Sequence, residues 1–268
     1  MKLIASRANE RFKALRVLAT DTRAQRSSNS CLLDGSHLVA AFCDKRGLPE
    51  CLIVSEHGLA QAEIRALVDR LSGDGRTECL LLKDSLFASL SQLTTPAGVM
   101  ALVRIPDAPG AAIAGASCLL LDALQDAGNV GAILRSAAAA GIRDVFLGPG
   151  CASAWMPRVL RAAQGAHFDL ALREQADLCQ VAENFCGSVV AATAQAGENL
   201  FQLDLTGPVA WLFGNEGSGI SPALLAAATR RASIPMAAGS ESLNVAAAAA
   251  VCLFEELRQK QFTNAAKR

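Results

Sequence analysis

Trp211-Leu-Phe-Gly-Asn-Glu-Gly-Ser-Gly-Ile-Ser221, followed by Ile234-Pro-Met-Ala-Ala-Gly-Ser-Glu-Ser-Leu-Asn-Val245 and an alanine-rich run through Ala250 to Leu253, is the stretch that decides the fold. An apolar run stops at Gly214, polar Asn215 and Glu216 follow with Gly217 and Gly219, and the pattern restarts at Ser221-Pro222 as a helix N-terminus does. The spacing predicts strand, glycine loop and helix. Glycine at 214 would let a bound group approach the backbone closely. A second apolar piece ends at Pro235-Met236, and a loop then leads into Leu243 to Leu257, where Ala, Val, Leu and Phe recur at helical spacing. Two neighbouring loops therefore leave strand ends. In an open α/β sheet that is where ligands sit, because backbone N–H and C=O groups beyond the strands are free to bond them.

Composition sets outer limits. At 268 residues with 51% hydrophobic content, the chain can bury one large core or two smaller ones. Lys+Arg and Asp+Glu are both 25, so net charge names no nucleic-acid partner and any RNA affinity must come from local asymmetry. No apolar segment approaches the roughly 20 residues of a membrane span, and the opening residues have no signal-peptide core, so the expectation is a soluble cytoplasmic protein. Nine cysteines without a Cys-x-x-Cys pair suit reduced, mostly buried thiols. Neither a disulfide framework nor a metal site is expected.

Residues 1–30 hold Lys2, Arg7, Arg11, Lys13, Arg16, Arg23 and Arg26 against Glu10 and Asp21. Phe12, Leu15 and Leu18 repeat so as to form one buried helix stripe, with Arg11, Lys13 and Arg16 left outside. A solvated helix face and an RNA phosphate-binding face fit equally well. Strand-like and helix-like pieces then alternate: Cys31 to Leu33, His37 to Arg46, Cys51 to Ser55, Leu59 to Leu71, Cys79 to Leu82, Ser85 to Leu93 and Val99 to Ile105, with Asp84 as a helix N-cap. This pattern predicts a small α/β domain over residues 1–105. His37 and His57 are given no chemistry. Pro106 to Ala116, with Pro109 and Gly110, reads as a linker, and a second domain follows over 117–268. Cys118 to Leu121 fits a buried parallel strand, Asn129 to Ala140 a helix bearing Arg135, and Asp144 to Gly148 the next strand. Arg158 and Arg161 share a helix, Asp177 to Phe185 forms another, and a strand runs from Val189 to Thr193. Such β/α alternation predicts a parallel sheet with helices on both faces.

Gly214-Asn215-Glu216-x-x-Gly219, with Ile234-Pro235-Met236 and Ser242-Leu243-Asn244-Val245, resembles motifs two and three of the SpoU (TrmH-type) RNA 2′-O-ribose methyltransferases. Motif one stands upstream as Asn129-Val-Gly131-Ala-Ile-Leu-Arg135-Ser136, followed by Gly141. Three ordered blocks between residues 117 and 256 are far more specific than a single glycine motif. Leu32-Leu33-Asp34-Gly35-Ser36-His37-Leu38-Val39 resembles the family's N-terminal substrate-binding segment, with Asp34 where Glu is usual. Arg161-Ala-Ala-Gln-Gly165-Ala166-His167-Phe168 is similar to its Arg-x-Ser-x-Gly-Ala-x-Phe signature, with Ala163 in place of Ser. Ala127 stands where Pro is usual and Ala238 where Gly is common, in which case Gly239 could supply the flexible position.

The resemblance implies a SPOUT-like C-terminal domain with a deep trefoil knot over roughly residues 209 to 256, preceded by a ribosomal-protein-like RNA-binding domain. It implies S-adenosyl-L-methionine as cofactor, with Gly214, Ile234 and Leu243 at its backbone contacts and Met236, Thr193 and Ser242 nearby. It also implies a homodimer that buries the C-terminal helix, although a core helix within one subunit fits the same pattern. The reaction implied is methyl transfer to a ribose 2′-hydroxyl, with ribosomal RNA favoured over tRNA. Arg135 would stabilise the alkoxide, because a guanidinium with pKa above roughly 12 is a poor base. Asn129 and Asn244 would orient Arg135 or the ribose, Glu216 would hold Arg135 in a bidentate pair, and Ser242 would complete the polar floor. Arg7, Lys13, Arg16, Arg23, Arg26, Arg158 and Arg161 would bind RNA. The alternative from another class is a noncatalytic RNA-binding protein that keeps the scaffold.

Overall fold

The computed structural model describes residues 1–73, 75–107, 115–194, 197–238 and 242–265, so most of the expected linker, and Gly239, lie outside the described residues. In chain order the first elements are β1 (Lys2–Ile4), α1 (Glu10–Thr20), α2 (Thr22–Ser28), β2 (Ser30–Asp34), α3 (Ser36–Arg46), β3 (Cys51–Ser55), α4 (Glu56–Ala60), α5 (Ala62–Ser72), β4 (Glu78–Leu82), α6 (Asp84–Leu90) and β5 (Val99–Arg104). There follow β6 (Cys118–Leu121), α7 (Ala127–Ala139), β7 (Asp144–Leu147), α8 (Pro157–Ala163), β8 (Ala171–Glu174), α9 (Leu178–Glu183), β9 (Ser188–Ala192), β10 (Glu198–Asn199), β11 (Val209–Phe213), α10 (Pro222–Ala227), β12 (Arg230–Ser233) and α11 (Val245–Ala265). They gather into two compact units, Met1–Asp107 with Trp155–Phe168, and Ala108–Ala154 with Asp169–Arg268.

The first unit is built on a five-stranded sheet in the order β1-β4-β3-β5-β2. Strand β5 runs antiparallel to β3 and β2, and the other pairs are parallel. Alternation along β3 buries both faces: Cys51 and Ile53 join Phe12, Leu15, Leu86 and Phe87 in one core, while Leu52 and Val54 point the other way by the pleat. Helix α1 starts where Asn9 Oδ1 accepts from the amides of Arg11 and Phe12, and it buries Phe12, Leu15 and Ala19, with Leu18 half-buried. Residues Trp155–Phe168, which the sequence reading assigns to the second domain, pack here. Phe168 meets Phe42 edge-on at 5.5 Å, and a Cβ on Gly165 would touch that of Ala41 at 3.4 Å.

Three local expectations are corrected by tertiary contacts. The single helix expected from Leu59 to Leu71 is broken at Gln61, whose extended backbone separates α4 from α5, and within α4 Gly58 packs so closely on Gly98 that an added Cβ would lie 2.2 Å from the Gly98 carbonyl oxygen. Asp84 does not cap α6. It is the first helical residue, and its carboxylate accepts from the His57 amide at 2.9 Å instead. Strand β1, unmarked in the sequence, is held by parallel pairing with β4.

The second unit carries a seven-stranded sheet, β10-β12-β9-β11-β6-β7-β8, in which every pair is parallel. Cys118, Leu120, Val189, Ala191, Ala210 and Leu212 form a core on one face with Leu178 of α9 and Leu224 of α10. Helices α7 and α11 pack on each other, and α11 is fastened to Trp211, whose side chain alternates to the opposite face. The fastening is a buried carboxylate. Glu256 is 2% exposed and accepts from Trp211 Nε1 (2.6 Å), Lys260 Nζ (2.6 Å) and Ser117 Oγ (2.5 Å). Ser117 Oγ in turn accepts from Lys260 Nζ (2.8 Å) and the Val209 amide (2.9 Å), joining the start of β6 and of β11 to the helix.

All nine cysteines are free thiols, and burial pushes those of Cys118 and Cys252 up to about 12. Among the described residues no helix is long and apolar enough to cross a membrane, and no group of His, Cys, Asp and Glu is arranged to hold a metal ion. Because Glu256→Ala strands a buried indole N–H and an ammonium group, it should lower unfolding stability by about 3–5 kcal/mol. Denaturant unfolding of the two proteins measures this, and a loss below about 1 kcal/mol would contradict the account.

Candidate active site

Strand β11 lies between β9 and β6, and its apolar run ends at Gly214. The need for glycine there is internal to the loop: a Cβ on Gly214 would lie 2.3 Å from both the carbonyl carbon of Gly219 and the amide nitrogen of Ile220. The loop closes on itself through two backbone bonds between Asn215 and Gly219, at 3.0 and 2.9 Å, with Gly219 at φ +72°. Ser221 then caps α10 with Pro222 at its first turn, and the Ser221 amide donates to Asp122 Oδ2 at 2.7 Å.

The neighbouring β6 ends in a second polar loop. Asp122 donates its amide to the Phe213 carbonyl at 2.9 Å, and Ala123 follows at φ 53°. Asp126 caps α7 by accepting from the Asn129 amide at 2.7 Å, so the helix starts at Ala127 without the proline usual at that place.

These two loops and the start of α11 bring three motif residues into one chain of hydrogen bonds. Asn244 Nδ2 donates to Asn129 Oδ1 at 2.9 Å, and Asn129 Nδ2 donates to Glu216 Oε1 at 3.0 Å. The Glu216 carboxylate also accepts from the amides of Gln125 (3.4 Å) and Asp126 (3.3 Å). Partial burial pulls the Glu216 carboxyl upward, but the hydrogen bonds from Asn129 and the loop amides outweigh it and hold the group below its ordinary value. Asn244 additionally caps α11, its Oδ1 accepting from the Ala246 amide at 2.9 Å.

Arg135 stands apart from this network. It is exposed on α7, outside the residues that line the cavity described next, and makes no hydrogen bond or ion pair among the described residues. The bidentate pair with Glu216 expected from the sequence is therefore not formed. The carboxylate is taken up by Asn129 and backbone amides.

Beyond the ends of β9, β11 and β12 a cavity of about 600 Å³ opens. Thr193, Gly214, Ile234, Met236, Ser242 and Leu243 line it, together with Glu216 and Asn244. Its apolar wall is extended by Phe213, Ile220, Leu225 and Val245, to which the sequence reading gave no cofactor contact. Thr193 is fixed by its amide and hydroxyl, both donating to the Ala232 carbonyl, at 2.9 and 3.4 Å. Asn215 also lines the cavity, and the sequence reading gave it no task. Of the positions that depart from the motif pattern, Ala163 is fully buried and Ala238 is exposed.

The basic residues singled out in the sequence belong to the first unit. Arg7, Arg16, Arg23, Arg26, Arg158 and Arg161 are exposed, and exposed Lys13 donates to Glu10 at 2.8 Å. Burial lifts the Asp34 carboxyl above its ordinary value, against a 2.6 Å hydrogen bond from Ser91 and the positive charge of Arg161.

Residues 116–254 match the SpoU rRNA Methylase family. The 23S rRNA (guanosine(2553)-2′-O)-methyltransferase RlmP of Bacillus subtilis is 32% identical over 256 residues, covering 95% of this chain and 98% of that protein. Among solved structures, the SpoU methyltransferase AviRb of Streptomyces viridochromogenes in complex with AdoMet superposes with a TM-score of 0.85 at 25% identity, over 94% of this chain and 98% of that one. A crystal structure of an RNA 2′-O ribose methyltransferase gives 0.81 at 30% identity, over 97% and 99%. With its second and third motif blocks lining one cavity, Asn129 of the first bonded to both, and a relative matched along nearly its whole length, this chain belongs to the SpoU rRNA methylase family.

Proposed function

We propose that this protein transfers a methyl group from S-adenosyl-L-methionine to a ribose 2′-hydroxyl of structured RNA, ribosomal RNA ahead of tRNA, in the cytoplasm. The observation that carries the reading is the cavity beyond the strand ends, with the Asn129, Glu216 and Asn244 chain bonded at its edge. Its volume of about 600 Å³ suits a nucleoside-sized ligand, and its wall offers apolar side chains beside the free backbone of two loops. Gly214, Ile234, Leu243, Met236, Thr193 and Ser242 would hold that ligand. When bound, the cofactor supplies an electrophilic methyl group on a sulfonium.

The chain's own residues then have to orient a hydroxyl and stabilise the charge that develops on it. Glu216 is a fixed acceptor: already bonded by the N–H groups of Asn129, Gln125, Asp126 and Asn215, it holds Asn129 in one orientation. Asn244 locks the other end of that amide, so Asn129 presents a remaining N–H to the ribose. Ser242 adds a hydroxyl to the polar floor. Arg135, exposed and without a partner among the described residues, binds the developing alkoxide and an adjacent RNA phosphate, and the proton leaves to phosphate or water.

Support for the assembly comes from two further features. Helix α11 exposes Phe254 (47%) and Phe262 (65%), which fits a second copy covering this helix, and Arg135 would then act within a homodimer. The likeness to SpoU structures supports a deep trefoil knot over roughly residues 209 to 256. The parallel-sheet methyltransferase domain would span 117–268, joined by the 106–116 linker to a ribosomal-protein-like RNA-binding domain over 1–105. Arg7, Lys13, Arg16, Arg23 and Arg26 of that domain would meet phosphates, together with Arg158 and Arg161 of α8, which lies outside 1–105 in sequence but packs in the first unit.

Three outcomes are expected. Arg135→Ala should bind S-adenosyl-L-methionine with unchanged affinity in calorimetry yet lose about 100-fold or more in transfer to ribosomal RNA from cells lacking the gene; near-normal transfer would remove Arg135 from the mechanism. Gly214→Ala, forced to open the loop, should weaken cofactor binding by at least about tenfold in the same titration. Sedimentation at low micromolar concentration should give twice the mass of one chain, and a monomer would sink the paired assembly.

A further inference from the structure

Asn215 is half-buried at the exit of β11, next to Glu216, and its side chain works in two directions. Oδ1 accepts from the amides of Gly217 (2.9 Å) and Ser218 (3.0 Å) and from the Ser218 hydroxyl (3.2 Å), closing the turn of its own loop. Nδ2 donates to the carbonyl oxygen of Ala123 at 2.8 Å, in the loop that leaves β6, and more weakly to Glu216 Oε2 at 3.5 Å. Ala123 holds a left-handed φ of 53°, a conformation that a residue with a Cβ keeps only when its surroundings fix it. A little further along that loop, the amides of Gln125 and Asp126 donate to Glu216, and Asp126 caps the helix bearing Asn129. Two consecutive residues thus grip one loop at three backbone points: Asn215 takes a carbonyl, and Glu216 takes two amides.

We propose that Asn215 is a positioning residue for methyl transfer: by tying the β6 loop to the β11 loop it sets where Asn129 meets Glu216 and Asn244. This rests on the reading of the cavity as a methyltransferase site. The side chain must be an amide, because one end accepts while the other donates. Its two ends also have separable duties. The Oδ1 end shapes the loop of the cavity wall, whereas the Nδ2 end aligns the start of α7.

Asn215→Asp keeps the acceptor and loses the donor, and it also sets a second carboxylate beside Glu216 Oε2. With deproteinised ribosomal RNA from cells lacking the gene, single-turnover transfer should fall at least about 30-fold while the Kd for S-adenosyl-L-methionine stays within about threefold and Tm is close to that of the parent. A purely structural role would instead lower transfer, cofactor affinity and Tm together, and that result would overturn the proposal. So would transfer within about twofold of the parent. Asn215→Ser, whose hydroxyl can still accept locally but is too short to reach Ala123, adds no charge beside Glu216 and is measured alongside; the same separation is expected, and a loss confined to Asn215→Asp would overturn the proposal. A parent that neither binds the cofactor nor methylates RNA removes the functional reading and this proposal together. An active parent with an unaffected Asn215→Asp removes the proposal alone.

Discussion

A carboxylate buried beneath a parallel sheet is stable only if nearly every lone pair has a donor, and the second unit is assembled around one that meets this condition. Glu256 gathers an indole N–H from β11, a hydroxyl from the start of β6 and an ammonium from its own helix. Desolvating it is costly, so the alternatives in which α11 slides or rotates against the sheet leave the charge unpaired and are disfavoured. What this fixes is the register of a long helix whose other end carries Asn244. The interval from Asn244 to Glu256 is roughly 18 Å of helix, a stiff spacer between the buried carboxylate and the cavity.

At the cavity the same logic recurs with less burial. Glu216 is held ionised by short-range donors, chiefly the Asn129 amide and the backbone of the adjoining loop. It has little capacity left to act as a base, and the site as a whole contains acceptors and amide donors in fixed orientations. Such a site accelerates a displacement by alignment and charge stabilisation. The chain has equal numbers of acidic and basic residues, but in its first unit Arg11, Arg16, Arg23 and Arg26 stand exposed on the consecutive helices α1 and α2.

Much of this was legible in the sequence, and the illegible parts share a cause. Strands buried on both faces are written as continuous apolar runs, so Cys118 to Leu121 and Cys51 to Ser55 coincide with β6 and β3 residue for residue. The motif blocks likewise identified the cavity wall at Gly214, Ile234, Met236, Ser242 and Leu243. What could not be read were partners chosen by tertiary contact. Glu255 and Glu256, in the helix read from apolar spacing over Leu243 to Leu257, carry no sequence mark of burial, yet both are buried. Glu216 was expected to pair with Arg135, and the nearer amides of Asn129, Gln125 and Asp126 took it instead. Gly214 was explained by a ligand's approach, whereas its own loop leaves no space for a Cβ. Gly58, inside α4, is pressed against Gly98, and β12 hides behind Arg230 and Arg231, whose charges mask a strand set beside β9.

The stiffness of α11 carries one more implication, for how variation in this protein would be interpreted. Ser117, Trp211 and Lys260 do not line the cavity, although Trp211 stacks on Phe213, which does, and a change at any of the three would loosen the anchorage from which Asn244 is held out. Loss of activity in such a variant would report a shifted lever arm, with the chemical groups themselves intact, and distance from the ligand would be a poor guide to which inherited substitutions are silent.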